Sequence, residues 1–258
     1  MVISKKYDHL TVEVYRDRAD LGAAAAQQVG ETLIGLIREK GEARIVFASA
    51  ASQNEFLSGL CEYPGIDWSK VTAFHQDEWV GVPMDRDYSF GGFIKRKLFD
   101  VVHPGTVCYL DGMAADMAAE CDRYGRILTE KPLDIIILGV GENGHIAFNE
   151  PHEADFNDPK IMKLITLDER CRQQQKNDFG FASIDDVPRM GVTVTIPVIR
   201  KAGHVFVVVP GARKSEAVAA ALTGPVSENC PASILRTMDS AALLLDLDAA
   251  GQVEELSG

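Results

Sequence analysis

Asp134-Ile-Ile-Ile-Leu-Gly-Val-Gly-Glu-Asn-Gly-His-Ile-Ala-Phe-Asn-Glu-Pro151 is the stretch on which the reading of this chain turns. Ile135 to Leu138 is an unbroken apolar run of strand length, as a strand buried on both faces requires. It breaks into Gly139, Gly141 and Gly144 and then presents His145, Asn149 and Glu150. Open α/β sheets bind their ligands in loops beyond the carboxyl ends of parallel strands. A tight strand-to-helix turn would explain the glycines, but it leaves the His and the Glu beside them without a purpose.

The same order of strand, loop and helix recurs on either side. Arg44 to Ala48 reads as a short buried strand running into Ser49-Ala-Ala-Ser-Gln-Asn54, with a helix following to Cys61. Val71 to Phe74 leads into His75-Gln-Asp-Glu-Trp79. Neighbours on an extended segment point to opposite sides, so only one of Asp77 and Glu78 should face a cleft there. His204 to Val209 leads into Pro210-Gly-Ala-Arg-Lys214 and an Ala-rich helix to about Leu222. Elsewhere Leu10 to Tyr15 reads as an edge strand, and a long helix from Asp17 or Asp20 ends at Gly41. Tyr88 to Asp100 is amphipathic, with Phe90, Phe93, Ile94, Leu98 and Phe99 on its apolar side. Val107–Leu110, Lys160–Leu167, Gly191–Ile196 and Ala241–Leu245 suit strands; Met113–Glu130, a segment from Glu169 to Lys176 capped by Asp168, and Pro231–Arg236 suit helices. This alternation predicts a doubly wound, mostly parallel α/β sheet with helices on both faces. Residues 1–258 are expected to form one domain, with a polar lid insertion within 151–190.

Composition narrows the function. A chain of 258 residues with 46% hydrophobic and 25% charged residues can bury a large core. Its net charge of -12 argues against a nucleic-acid binder, and an anionic ligand would need a local positive site instead. No apolar run reaches the length of a membrane span, and MVISKKYDHL lacks the core of a signal peptide. The five cysteines are scattered with no CxxC pair, which points to reduced cytoplasmic thiols packing as small hydrophobes, with no support for thiol catalysis.

Loops 48–54, 75–79, 139–150 and 209–214 sit at predicted strand ends and converge on one crevice if their strands are neighbours. The first offers hydroxyl groups and backbone donors at a helix start, and the last offers Arg213 and Lys214, together a phosphate site in kind. GxxxxGK[ST] is absent, so a small phosphorylated metabolite is favoured over ATP. GVGENG does not sit in the context of a dinucleotide fingerprint. His145, Glu150 and His152 are split by Pro151 at no usual ligand spacing, so no metal and no cofactor are expected. Acid/base chemistry by Asp77, His145 and Glu150 on a sugar phosphate is the reading that remains: proton transfer between adjacent carbons and opening of a hemiacetal ring.

GVGENGHIAFNEP resembles the active-site signature of the glucosamine-6-phosphate deaminase/isomerase family, and FHQDEWVGVP resembles that family's strand-end acidic motif. The succession of elements matches over nearly the whole chain. The resemblance implies a Rossmann-like sheet and cofactor-free conversion of glucosamine 6-phosphate to fructose 6-phosphate plus ammonia. It makes Asp77 the base that moves a proton between C2 and C1, His145 the group that opens the ring with Glu150 assisting, and Lys214 the phosphate holder. Ser49, Ala50, Ala51, Ser52, Gln53, Gly141 and Gln175 complete the substrate-facing set. A homo-oligomer fits such metabolic enzymes, though no interface is readable from the sequence.

Three departures bear on the substrate. Asn143 stands where many members have Asp. A carboxylate near a protonated His is worth about 4 kcal/mol at roughly 4 Å in an effective dielectric near ~20, which an amide does not supply, so weaker ring-opening assistance is expected. Ala50 and Ala51 replace glycines in the phosphate loop. A phosphate-clamping arginine of the family falls at Gln175, with Lys176 beside it and Arg172 about one turn back as the expected compensation. Loop 151–160 also differs from the segment that carries an allosteric site in some members. Galactosamine 6-phosphate or another amino-sugar phosphate therefore stays open as substrate. Two other classes stay open with it: a 6-phosphogluconolactonase-type hydrolase, whose Gly-His loop usually continues differently, and a non-catalytic sugar-phosphate sensor, which would lack the acid/base groups.

Overall fold

The computed structural model describes residues 1–256. Its frame is an eight-stranded sheet made of β1 (Ile3–Tyr7), β2 (Leu10–Tyr15), β3 (Ala43–Phe47), β4 (Val71–His75), β6 (Thr106–Cys108), β7 (Ile135–Leu138), β10 (His204–Val209) and β11 (Ala241–Asp246). A second, three-stranded sheet is made of β5 (Asp77–Trp79), β8 (Met162–Thr166) and β9 (Met190–Val194). The large sheet runs β1-β2-β11-β10-β7-β3-β4-β6, parallel except for the β1–β2 hairpin.

All four side chains from Ile135 to Leu138 are fully buried, which makes β7 a central strand rather than a half-wet one. Ile136 and Leu138 join Val46, Val207 and Leu243 in one core, while Ile135 and Ile137 join Ile45, Val208 and Leu244 in the other. Burying each such side chain contributes about 1.5–3 kcal/mol. Helix Arg18–Lys40 (capped by the Asp17 carboxylate and ended at left-handed Gly41) covers the second core with helix Asn54–Glu62. Helices Met117–Thr129 and Ser215–Thr223 cover the first. The fold class is the doubly wound α/β sheet that the alternation predicts.

From β3 the chain steps outward through β4 to β6, returns to β7 beside β3, and proceeds the other way to β10 and β11. The reversal lies between β3 and β7, so the loops after these strands diverge and leave a crevice between them. β10, β7, β3 and β4 are consecutive neighbours, which brings all four singled-out loops to one end of the sheet.

Several boundaries differ from expectation. Leu10–Tyr15 is not the edge; it is covered by β1, whose ISKKY lacks an apolar alternation to betray it. Lys160–Leu167 and Gly191–Ile196 yield β8 and β9, which leave the main sheet and pair antiparallel with each other, with β9 also pairing β5. Met113 to Asp116 precede their helix, because the Asp116 side chain accepts from Ala118 and Ala119 N–H and sets the start at Met117. Tyr88–Asp100 is not one regular helix: Ser89 caps Phe90–Ile94, and a π turn follows over Lys95–Phe99. Helix Glu169–Phe179 runs one turn past Lys176 to Gly180, and no helix among the described residues is long and apolar enough to cross a membrane.

Candidate active site

The loops beyond β10, β7, β3 and β4 line one crevice. Its acidic wall is made by β5. Asp77 lines the crevice, 5% exposed, while Glu78 points the other way and accepts from Trp79, Phe90 and Gly91 N–H and from Ser89 Oγ at 2.8–3.0 Å. Extended backbone thus separates a carboxylate for the cleft from one that pins the start of the Phe90 helix. Burial, then the neighbouring Glu78 charge, pushes the Asp77 carboxyl well above the ordinary range. His75, fully buried, is held by Asp77 O and Leu110 N–H on its two ring nitrogens, and burial pushes its pKa down. It braces the strand end and does not line the crevice.

Opposite stands the glycine loop. Gly141 N–H donates to His145 O, and a Cβ at Gly141 would lie 2.2 Å from the imidazole, so only glycine lets the ring occupy that place. Gly144 adopts φ +86° with Cys230 packed behind it. His145 Nδ1 lies 3.4 Å from Glu150 Oε1. Glu150 has no exposed surface. Burial by itself raises its pKa, but His145, the Cys171 thiol and the Asn143 amide outweigh that and hold it below the ordinary carboxylate value.

Asn143 does not reach the imidazole as its place in the sequence suggests. Its Oδ1 accepts from His145 N–H, while Nδ2 donates to Glu150 Oε2 at 2.5 Å and to Asp168 Oδ2 at 2.8 Å. The amide bridges two carboxylates, and its action on the ring passes through Glu150. His152, near in sequence, is turned away toward Glu153.

Ser49, Ala50 and Ser52 line the crevice; Ala51 faces a neighbouring depression beside Arg18 and Arg213. Gln53 does not reach it either, since its amide N–H groups donate to Val208 O and Ser52 Oγ and knit β3 to β10. Gly141, Gln175 and Lys214 all line it. Lys214 is buried, which pushes its pKa down against the pull of Asp178 and Glu142. Arg172 does not compensate for the missing arginine: its guanidinium donates to Ile184 O and Val187 O, closing the turn after its helix. Arg213 pairs with Asp178 at 2.6 Å and Glu142 at 3.2 Å.

The sequence did not single out Gln76, Gln174 or Cys171. Gln76 lines the crevice beside Asp77 with its Oε1 unpaired, as is Ser49 Oγ. Gln174 Oε1 accepts from Glu142 N–H and draws helix Glu169–Phe179 onto the glycine loop. Only the close pair Gln174-Gln175 in a polar helix hinted at this contact. Crevice-facing acceptors without protein partners, a carboxyl held protonated more readily than usual, an imidazole–carboxylate pair and a buried lysine suit a polyhydroxylated anion undergoing proton transfer.

The model of the family described as glucosamine-6-phosphate isomerases/6-phosphogluconolactonases matches residues 16–244. A glucosamine-6-phosphate deaminase of Streptococcus pyogenes serotype M1 is 32% identical over 228 residues, 88% of this chain and 94% of that protein. One of Bacillus cereus (strain G9842) is 40% identical over 184 residues, covering 71% and 68% of the two chains. The solved structure of a monomeric glucosamine-6-phosphate deaminase superposes with a TM-score of 0.85 at 29% identity, over 93% of this chain and 99% of that one. With its sheet, its crevice and these likenesses in agreement, the chain belongs to the family of glucosamine-6-phosphate isomerases and 6-phosphogluconolactonases.

Proposed function

We propose that this enzyme converts glucosamine 6-phosphate and water to fructose 6-phosphate and ammonia by metal-free acid/base catalysis. The observation that carries the reading is the crevice lined by both Asp77 and His145, with Glu150 behind the imidazole. In this mechanism His145, held by Glu150, takes the proton of the C1 hydroxyl and passes one to O5, which opens the ring. Asp77 then removes the C2 proton and returns a proton to C1, while a proton passes from the amine to the C1 oxygen. The imine at C2 is hydrolysed by water, releasing ammonia. Lys214, Ser49 and Ser52 hold the phosphate, with Gln175 above it. Helix Glu169–Phe179, drawn down by Gln174, is the moving part of a lid within 151–190 over a single domain.

Deaminase function is preferred over lactone hydrolysis because both curated relatives above are deaminases. A sensor would not need the paired acid/base groups. The test is a panel of glucosamine 6-phosphate, galactosamine 6-phosphate, glucose 6-phosphate and 6-phosphogluconolactone, scored for ammonia, ketose and acid. Ammonia and fructose 6-phosphate in equal amounts from the first is the expected result; acid from the lactone with no ammonia from either amine overturns it. Five unpaired cysteines support a reducing, cytoplasmic location.

Asn143→Asp tests the role of the bridging amide. It exchanges two donated hydrogen bonds for a third carboxylate between Glu150 and Asp168, and like charges that close raise one another's pKa by about 1–2 units. The Glu150 carboxyl should therefore titrate at higher pH in the variant, read from its ¹³C resonance, while the acid limb set by Asp77 stays in place and kcat does not rise. A variant with an unmoved Glu150 titration and higher kcat would restore the simpler view that an aspartate there helps the ring.

A further inference from the structure

Cys171 takes no part in the mechanism above, yet it stands at its centre. The thiol lies on the first turn of helix Glu169–Phe179, fixed by Cys171 N–H donating to the Asp168 cap at 2.6 Å. It is 1% exposed and sits against Glu150, with Gln175 on its other side. A ring nitrogen of His145, a carboxylate oxygen of Glu150 and Cys171 Sγ all lie within 4.8 Å of one another. His145 Nδ1 and Glu150 Oε1 are buried and make no well-formed hydrogen bond. The second Glu150 oxygen is occupied by Asn143, so Oε1 is the free one and it faces the imidazole.

One nitrogen, one oxygen and one sulfur is a donor set that suits Zn²⁺ and its thiophilic relatives and not Mg²⁺ or Ca²⁺, which take oxygen alone. Tetrahedral zinc holds its ligands roughly 3.5 Å apart, so the 3.4 Å His145–Glu150 separation needs no change and any closing falls to the sulfur. A Glu carboxylate, a thiolate and a neutral imidazole balance the two positive charges. Of the three, His145 alone lines the crevice.

We propose that His145, Glu150 and Cys171 form an inhibitory site for a thiophilic divalent cation, which disables the enzyme by seizing the imidazole and carboxylate of its acid/base pair. On binding, the Cys171 S–H bond breaks, the sulfur's electron pair goes to the metal, and the proton leaves to solvent; no redox change occurs. Metal binding does not depend on the proposed reaction, but the inhibition rests on it, and the two are read separately.

Co²⁺ serves as the spectroscopic probe and Zn²⁺ as the inhibitor, both added to the full chain freed of metal. One equivalent of Co²⁺ should give a thiolate-to-metal charge-transfer band. Cys171→Ser keeps an O–H donor beside Glu150 but removes the sulfur. It should lose the band and, measured against its own uninhibited rate, need roughly 100-fold or more Zn²⁺ for half-inhibition. Cys230→Ser, whose sulfur packs behind Gly144, should change neither reading. A chain with Cys61, Cys108 and Cys230 all replaced by serine should keep the band, so the site stays testable if Cys171 variants do not fold. Absence of the band in that chain, inhibition unaltered by Cys171→Ser, or its loss in Cys230→Ser instead, would each overturn the site. A chain without any deaminase activity that still shows the Cys171-dependent band would sink the functional reading and leave the metal site standing.

Discussion

Asp77→Asn is expected to lower kcat on glucosamine 6-phosphate by roughly 10²–10⁴-fold, the usual worth of a positioned base, with little change in KM. The substitution keeps shape and burial and removes only the ability to accept the C2 proton. It should also reveal what Asp77 costs the fold. Burial and Glu78 raise the carboxyl above its unfolded value, so the folded state binds the proton more tightly. Its contribution to stability is therefore present at low pH and lost as pH rises from the ordinary carboxyl range through the raised folded value. A neutral Asn escapes that loss. The variant should melt higher than the parent at neutral pH, with the difference vanishing in acid. In the parent, activity should fall as pH drops through the same raised value, because the base must be ionised to act. An Asp77→Asn variant of unchanged kcat would remove Asp77 from the mechanism.

Lys214→Met should act on binding. The ammonium is buried at the crevice floor, and burial has lowered its pKa despite Asp178 and Glu142 nearby. An anionic ligand would supply the counter-charge that this position lacks in full. Losing one partner of a buried charge pair costs about 2–5 kcal/mol, so KM should rise by roughly 30-fold or more while kcat changes less. Inorganic phosphate should compete with substrate in the parent and fail to do so in the variant. Arg213, engaged by Asp178 and Glu142, is not positioned to replace the lysine. A kcat loss with constant KM would place Lys214 in the chemistry instead.

What the sequence made legible follows from how local each signal is. The run Ile135–Leu138 and its glycines announce a buried strand and a ligand loop within a dozen residues, and β3 with its small-residue loop does the same. The alternation rule alone sent Asp77 and Glu78 to opposite sides, as the hydrogen bonds of Glu78 now require. What stayed hidden depends on distant pairing. Asp77–Trp79 is held as a strand by Met190–Val194, more than a hundred residues on, and no local pattern points to that register. Cys171 meets Glu150 only because a cap at Asp168 also binds Asn143. Arg172 misled for a related reason. It shares a face with Gln175 by spacing, but the open carbonyls of the turn at 184–187 drew its guanidinium sideways. Asn143 showed the right position and the wrong target, since sequence proximity to His145 cannot reveal that its amide spans two carboxylates.

Deamination in D₂O, followed at C1 of the fructose 6-phosphate formed, tests most directly whether Asp77 carries a proton from C2 to C1 in this crevice. A single carboxylate fixed on one wall delivers one hydrogen to one face. The account predicts one new hydrogen at C1, deuterium or protium carried from C2, in a single configuration, formed together with one equivalent of ammonia. Label scrambled over both faces of C1, or ammonia released with no new hydrogen there, would contradict it.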